Sequence, residues 1–418
     1  MRVLWIAQNG GNYKNSIIKG TGGWIGALQT ELTKRYPYLE LGITFASSDT
    51  EPMKEGNVTY FPIRTTNEDD ISKGIDRLFH SEEYRLERLA LGMKKVMDDY
   101  KPDVVHVWGI EVPSAAIIPL IDRPFVVHIQ GLLSQILYAY LPPSFSEGDL
   151  RKASSFFNPL NWLKCVVGKT AIGSYKTFRR AADREIKYGK YVNNWIGRTE
   201  WDHTVSQMLS QGSRYFHCDE LMRNDFNNIK WHYHYKGDTL RLHSSLSGPW
   251  YKGIDVVLKT AFVLQCQGVE IEWNVYGVGA NAEVVKYFSK HLKINPNKVG
   301  IFFRGNVDGK TIRDGLLSSD VYVHPSYIEN SSNAIAEAQM LGVPIIAQFV
   351  GGIPSMLKNE SGVLVAPNEP YIMASRIMDM RIQDIAEGYS QRALEVASGR
   401  HNTDKICSDL MRIYDTVK

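Results

Sequence analysis

Only four cysteines occur in 418 residues, at 165, 218, 266 and 407, and no two are close enough to suggest a zinc knuckle or a disulfide framework. A reducing setting is expected. No apolar run approaches the roughly 20 residues that a membrane-crossing helix requires. The opening run, Val3 to Ala7, is too short for the core of a signal peptide and reads as a first buried strand. The chain is therefore expected to be soluble and cytoplasmic. Charge of one sign is also scarce: 48 Lys and Arg stand against 45 Asp and Glu, a net +3 that argues against a nucleic-acid partner. Three devices for handling nucleotides are missing as well. There is no Walker A loop, no strict Gly-x-Gly-x-x-Gly fingerprint and no Asp-x-Asp pair, so the usual metal bridge to a nucleotide diphosphate has no ligands here. Neither a metal nor a resident cofactor is expected.

What is present is an ordinary globular composition, 44% hydrophobic and 22% charged, in a chain longer than one core usually serves. Short β-branched or aromatic runs alternate with helical patterns: "VLWIA", "LGITFA", "VVHVW" and "FVVHIQG" early, then "EWNVYGVG", "GIFFRG", "VYVHPS" and "VPIIAQ". Apolar strands with little polar alternation, separated by amphipathic segments, predict parallel sheets covered by helices on both faces. The fold class expected is α/β, with two doubly wound Rossmann-like domains. The aperiodic stretch 212–238 marks the boundary, which divides the chain into 1–215, 216–395 and a final helix within 396–418.

One segment concentrates polar chemistry inside an apolar context: "SYIENSSNAIAEAQMLGVPIIAQFVGGIPSML", Ser326 to Leu357. It follows the strand "VYVHPS". "NSSNAIAEAQML" begins with cap-forming side chains, continues with good helix formers and stops at Gly342, with Pro344 beyond. Such a helix starts at the carboxyl end of a parallel strand, and its free N–H groups favour an anion. The small residues Ser331 and Ser332, with Asn333 beside them, would let a phosphate approach. Glu329 precedes the first turn and Glu337 lies about one turn in, so two acceptors flank the site. That suits a nucleotide sugar, whose hydroxyls need acceptors and whose diphosphate needs donors. On spacing alone, a glutamate serving only as a charge partner of the helix start is an equally good reading.

Glu329, seven intervening residues, Glu337-Ala338, then Gly342-Val343-Pro344 and Gly351-Gly352-Ile353-Pro354 together resemble the signature of the retaining glycosyltransferases of the large family four. The resemblance implies a GT-B fold, in which two Rossmann-like domains face across a cleft and the last helix crosses back onto the first domain. It assigns Glu329 to hydroxyls of the donor sugar and Glu337 to the ribose. Gly22 and Gly23 in "GTGGWIGAL" match the Gly-rich loop after the first strand, and His128 in "FVVHIQG" matches a histidine that meets the donor sugar near the reacting carbon. Lys252 in "SGPWYKG" matches the lysine that neutralises the leaving diphosphate. The family's arginine a few residues earlier is absent, Leu246 and Ser247 standing there, and Arg304 in "FFRGN" is a candidate to compensate.

The resemblance implies a metal-independent hexosyltransferase that works by front-face displacement on a saccharide or lipid-linked acceptor. Glu111, Gln130 and Arg198 are candidates for the acceptor side, although Glu111 reads equally as a helix cap. Between Arg151 and Lys190, ten Lys or Arg stand against two Asp or Glu, interleaved with Phe156, Phe157, Trp162, Leu163, Tyr175 and Phe178. Such a stretch suits peripheral contact with an anionic inner membrane face; a solvated basic helix with its aromatics in the core fits as well. The competing functional classes are a nucleotide-sugar or glycan binding protein without turnover, and another GT-B enzyme such as an epimerase or an inverting transferase.

Overall fold

The first strand, β1 (Arg2–Ile6), shows why the early strands read as unbroken apolar runs. Val3 and Trp5 bury against the helices Gly23–Arg35 and Thr403–Val417, while Leu4 and Ile6 bury against the helix Glu82–Tyr100. A strand covered on both faces leaves no side for polar alternation. The computed structural model describes residues 1–15, 23–64, 79–154, 170–227, 229–237 and 239–418. Gly22 and residues 155–169 of the basic stretch, with Phe156, Phe157, Trp162 and Leu163, lie outside the described residues.

Contacts divide the chain into two units, one formed by Met1–Gln135, Lys176–Leu221 and His401–Lys418, the other by Ile136–Tyr175 and Met222–Arg400. The first is built on an eight-stranded sheet. To β1 it adds β2 (Glu40–Ser47), β3 (Met53–Glu55), β4 (Val58–Arg64), β5 (Val104–Trp108), β6 (Phe125–His128), β7 (Asn194–Gly197) and β8 (Arg214–His217), in the order β3-β4-β2-β1-β5-β6-β7-β8. Only the β3–β4 pairing is antiparallel.

The second unit carries a six-stranded, wholly parallel sheet. Its strands are β9 (Leu240–Ser245), β10 (Ile271–Tyr276), β11 (Ile301–Gly305), β12 (Val321–His324), β13 (Ile345–Gln348) and β14 (Val363–Val365), in the order β11-β10-β9-β12-β13-β14. Chain order runs outward in opposite directions from the β9–β12 pair. Loops that leave the carboxyl ends of these two strands diverge to opposite faces and open a crevice, where ligands bind in open α/β sheets.

Two features depart from a simple division of the sequence into consecutive domains. The segment 136–154 groups with the second unit rather than with the preceding strands, because its aromatics find partners there. The Tyr140 ring lies 5.6 Å from that of Tyr251, and Phe145 meets Trp250 at 5.7 Å and Phe288 at 4.9 Å. The Tyr287 hydroxyl donates to Asp149 at 2.8 Å. At the other end, the chain returns to the first unit at His401. The helix Thr403–Val417 carries Ile406, Leu410, Ile413, Tyr414 and Val417 on one buried face, spaced for a helix packed against its neighbour. Tyr414 is its polar anchor: its hydroxyl accepts from Trp5 Nε1 at 2.9 Å and lies 2.6 Å from His106 Nδ1.

A Tyr414→Phe substitution keeps the ring and strands both partners without an oxygen. Removing one partner of a buried hydrogen bond costs about 1–3 kcal/mol. Urea unfolding of the variant should show a loss in that range, with an unchanged denaturant slope.

Candidate active site

The strongest chemistry in the second unit lies where the chain order of its sheet reverses. After β9 the chain makes a tight turn, Trp250–Lys252, closed by Gly253 in the left-handed conformation at φ 78°. A Cβ on Gly253 would stand 2.0 Å from the carbonyl oxygen of Pro325, in the loop after β12. Only glycine allows the two loops to approach this closely. The approach delivers Lys252 to Glu329, and the two form an ion pair. Burial alone would push the Glu329 carboxyl up, yet Lys252, assisted by His324, holds it at about 2. Burial likewise opposes the Lys252 ammonium, and the Glu329 charge overrides it and raises its pKa. Both groups are charged at neutral pH.

Glu329 is held from three sides. Besides Lys252, the Ser326 hydroxyl donates at 3.1 Å and His324 Nε2 lies 3.3 Å away. Its backbone is clasped as well. Gly352 N–H donates to the Glu329 carbonyl at 2.9 Å, and Gly351, at φ 51°, comes so close that a Cβ would stand 2.0 Å from that oxygen. The Gly351–Gly352 turn shapes the Glu329 loop, and the Gly352 amide is taken.

The helix Asn333–Leu341 begins at Ser332, whose side chain makes no capping bond, and ends at Gly342 with φ 74°. An uncapped start leaves amides of the first turn free to meet an anion. The Ser332 amide is not among them, since it donates to the Met356 sulfur at 3.1 Å. Ser331 is half-buried and Asn333 exposed. Glu337 is buried one turn in and pairs with Arg223. Burial raises its carboxyl above the ordinary value, and Arg223 only partly offsets this. The two glutamates are thus differently poised, Glu329 firmly ionised and Glu337 more readily protonated.

Arg223 lies in the aperiodic stretch before β9, and no spacing points to it. His324, Ser326 and Tyr322 were equally unmarked, although a histidine closing an apolar strand is the same signal that marked His128. Arg304 does not join Lys252. It stands on the edge strand β11, where its Nε donates to Asn274 at 2.6 Å and its guanidinium lies 3.7 Å from Glu272. Edge position and local carboxylate keep it on that side of the sheet.

In the first unit, the carboxyl ends of β5, β6 and β7 collect most of the other candidates. His128 is buried, stacks on Trp108 at 4.7 Å and, among the described residues, has no hydrogen-bond partner on either ring nitrogen. Burial, then His106 and Arg198, push its pKa well below the ordinary value, so the ring is neutral. Trp108 Nε1, Glu111 Oε2 and Gln130 Nε2 are likewise buried without partners. Buried polar atoms are rarely left unpaired, so these four side chains are prepared for something polar. Arg198 is not free to serve: it is buried, pairs with Glu220 and donates to the Ile129 carbonyl at 3.2 Å. It braces the loop after β6. Gly23 begins the helix Gly23–Arg35 and is exposed. Among the described residues, no group of three or more His, Cys, Asp or Glu is arranged to hold a metal ion.

Burial also pushes the Glu111 carboxyl up to about 7, with the neighbouring Glu185 adding to it; Glu185 itself is pushed up to about 7 by burial, although Leu133 and Ser134 donate to it. A carboxyl whose folded pKa lies above its unfolded value binds its proton more tightly in the native state. Its stabilisation is complete below about pH 4.5 and is lost as the pH rises through about 7. Wild-type stability measured relative to Glu185→Gln should therefore fall across that window. For the ion pair, Lys252→Met alone strands a buried carboxylate and should cost about 3–5 kcal/mol in chemical denaturation. Adding Glu329→Gln should recover part of that loss, a coupling that a double-mutant cycle reads directly.

Comparison with known proteins fits this geometry. Residues 239–381, which run from β9 past the Glu329–Glu337 helix, match the family described as Glycosyl transferases group 1. A D-inositol 3-phosphate glycosyltransferase from Xylanimonas cellulosilytica is 27% identical over 109 residues, which is 26% of this chain and 26% of that protein. The chain spans less than half the length of each curated relative it matches. Sucrose-phosphate synthase from Thermosynechococcus elongatus superposes over 100% of this chain and 98% of its own, with a TM-score of 0.69 and 13% identity. Anabaena HepE, solved in complex with UDP and glucose, covers 100% of both chains at a TM-score of 0.62 and 14% identity. The chain has the two-domain GT-B fold, and its residues 239–381 are similar to the Glycosyl transferases group 1 family.

Proposed function

We propose that this protein is a retaining, metal-independent glycosyltransferase that moves a hexose from a nucleotide diphosphate sugar to a saccharide or glycolipid-type acceptor. The observation that carries the reading is the Lys252–Glu329 pair, held at the β9–β12 switch point beside an uncapped helix start. A cation and free amides suit the diphosphate, while a carboxylate fixed in its ionised form suits a sugar hydroxyl. The complex of Anabaena HepE with UDP and glucose supports a uridine donor for a protein of this fold.

In this mechanism the bond from the anomeric carbon to the leaving phosphate oxygen breaks while a bond to the acceptor oxygen forms on the same face. The acceptor proton passes to the departing phosphate. Lys252 and the amides of the Asn333–Leu341 helix stabilise the charge that develops on the diphosphate, an effect typically worth a few kcal/mol per donor. Glu329 accepts from a donor-sugar hydroxyl and Glu337 from the ribose, displacing Arg223 as it does so. Released, Arg223 is a cation in the right unit to serve where the family's arginine is missing. His128 meets the reacting end of the donor sugar, and Glu111 and Gln130 serve the acceptor.

We place the reaction in the cytoplasm at the inner face of a membrane, where the basic surface of the helix Ala171–Gly189 would meet anionic lipid. Lys176, Arg179, Arg180, Ile186 and Lys187 are exposed along it. Tyr175 does not contribute, since it packs on Tyr140 at 4.9 Å. Among the described residues no helix is long and apolar enough to cross a membrane.

Thermal unfolding against UDP, GDP, ADP and their sugars tests the donor site first. A ligand that binds only the folded state adds about 2.7 kcal/mol at a hundredfold excess over its dissociation constant. One base series should shift the midpoint selectively, and no shift with any of them rejects the reading. With the donor in hand, Glu329→Gln and Lys252→Ala should each lower turnover by about 10²- to 10³-fold. Proton NMR of the product should show the donor's anomeric configuration retained.

A further inference from the structure

Two donors bond a single oxygen of Glu329, and a histidine nitrogen approaches the same atom. Lys252 Nζ and Ser326 Oγ bond Oε1, His324 Nε2 lies 3.3 Å from the same oxygen short of hydrogen-bond geometry, and among the described residues none bonds Oε2. A carboxylate offers about four lone-pair positions over its two oxygens. Crowding one oxygen fixes the group's rotation and leaves the other as its acceptor, aimed in one direction.

The arrangement depends on which nitrogen of His324 carries the proton, and the structure contains the part that decides it. His324 is buried, and its Nδ1 lies 2.9 Å from the Tyr322 hydroxyl, itself wholly buried. The backbone of Ser245 makes a hydrogen bond to the same phenol oxygen, and burial keeps the phenol protonated. The phenol has one proton to give, and Nδ1 is positioned to accept it. An imidazole that accepts on Nδ1 carries its own hydrogen on Nε2, the atom that faces Glu329. An Nε2–H on His324 would face the Glu329 oxygen that lies 3.3 Å away.

We infer that His324 is a positioning residue: held by Tyr322 as the Nε2–H tautomer, it pins Glu329 through Oε1 and so presents Oε2 alone to a hydroxyl of the donor sugar. His324 does not touch the ligand; it acts through the carboxylate. The ligand part of the inference rests on the nucleotide-sugar reading above. The tautomer part rests only on the hydrogen bonds within the second unit.

Two measurements on the full chain test it. Histidine ¹⁵N NMR should show His324 protonated on Nε2, and Tyr322→Phe should convert it to a mixture of tautomers. Calorimetric titration would use the nucleoside diphosphate and the matching diphospho-sugar that stabilise the protein most in the UDP, GDP and ADP series. His324→Leu should leave affinity for the bare diphosphate within about twofold of wild type and weaken the diphospho-sugar on the order of tenfold, the size of one charge-assisted hydrogen bond. His324→Gln, which returns an N–H donor, should recover most of that loss. Equal weakening of both ligands would show a purely structural histidine and overturn the inference, as would an unweakened diphospho-sugar. Should wild type bind no nucleotide at all, the proposed function falls. The tautomer measurement then decides alone: an Nδ1–H ring, or one unmoved by Tyr322→Phe, overturns the role of His324.

Discussion

The second unit depends on a steric permission at one atom. Gly253 lets the turn after β9 come against the Pro325 carbonyl, and no other residue could occupy that position without pushing the two loops apart. Because they touch, Lys252 and Glu329 share one site although they lie 77 positions apart in the chain. The pair is largely buried, so each charge would be costly without the other. Together they form a fixed dipole at the sheet's switch point, beside a helix start with open amides. Gly351 repeats the device on the other side of Glu329, again where a side chain would collide with a carbonyl.

The two glutamates that frame the Asn333–Leu341 helix show how surroundings divide labour between identical side chains. Glu329 receives a lysine, a serine and a histidine, and its carboxyl is driven down to about 2. Glu337 receives one partly exposed arginine, and burial prevails. A permanently ionised acceptor suits a hydroxyl that must be held through a reaction. In the first unit, buried polar atoms of Trp108, Glu111, His128 and Gln130 have no partner among the described residues. Such atoms are a cost in the empty protein, and a hydroxyl-rich ligand would relieve it.

The segment 136–154 adds a constraint that bears on the Lys252 turn itself. Tyr140 and Phe145 pack on Tyr251 and Trp250, the two residues that precede Lys252. The turn that carries the cation therefore has a hydrophobic floor from a part of the chain that directly follows the His128 strand. Aromatic packing of this kind gives a short turn the rigidity that its own three residues lack.

Local chemistry made much of this legible in one dimension. Apolar runs without alternation announced parallel sheets covered on both faces, and β1 shows why, with Val3 and Trp5 on one side and Leu4 and Ile6 on the other. Helix formers between cap residues and Gly342 bounded the helix, and Glu329 and Glu337 around its start marked a candidate site. Those features depend on neighbours within a few residues, so sequence carries them. Other features became visible only once the chain had folded. Arg223 reaches Glu337 and Tyr322 orients His324 through contacts that no period or motif encodes. Arg304 was read as a candidate to compensate for the family's missing arginine, yet strand order puts it on an edge with Glu272. Segment 136–154 joined the unit opposite to the one its position suggested. Sequence determined which residues could do the chemistry, because propensity and patterning are local; tertiary structure decided which of them meet, because strand order and close backbone approach bring together residues far apart in the chain.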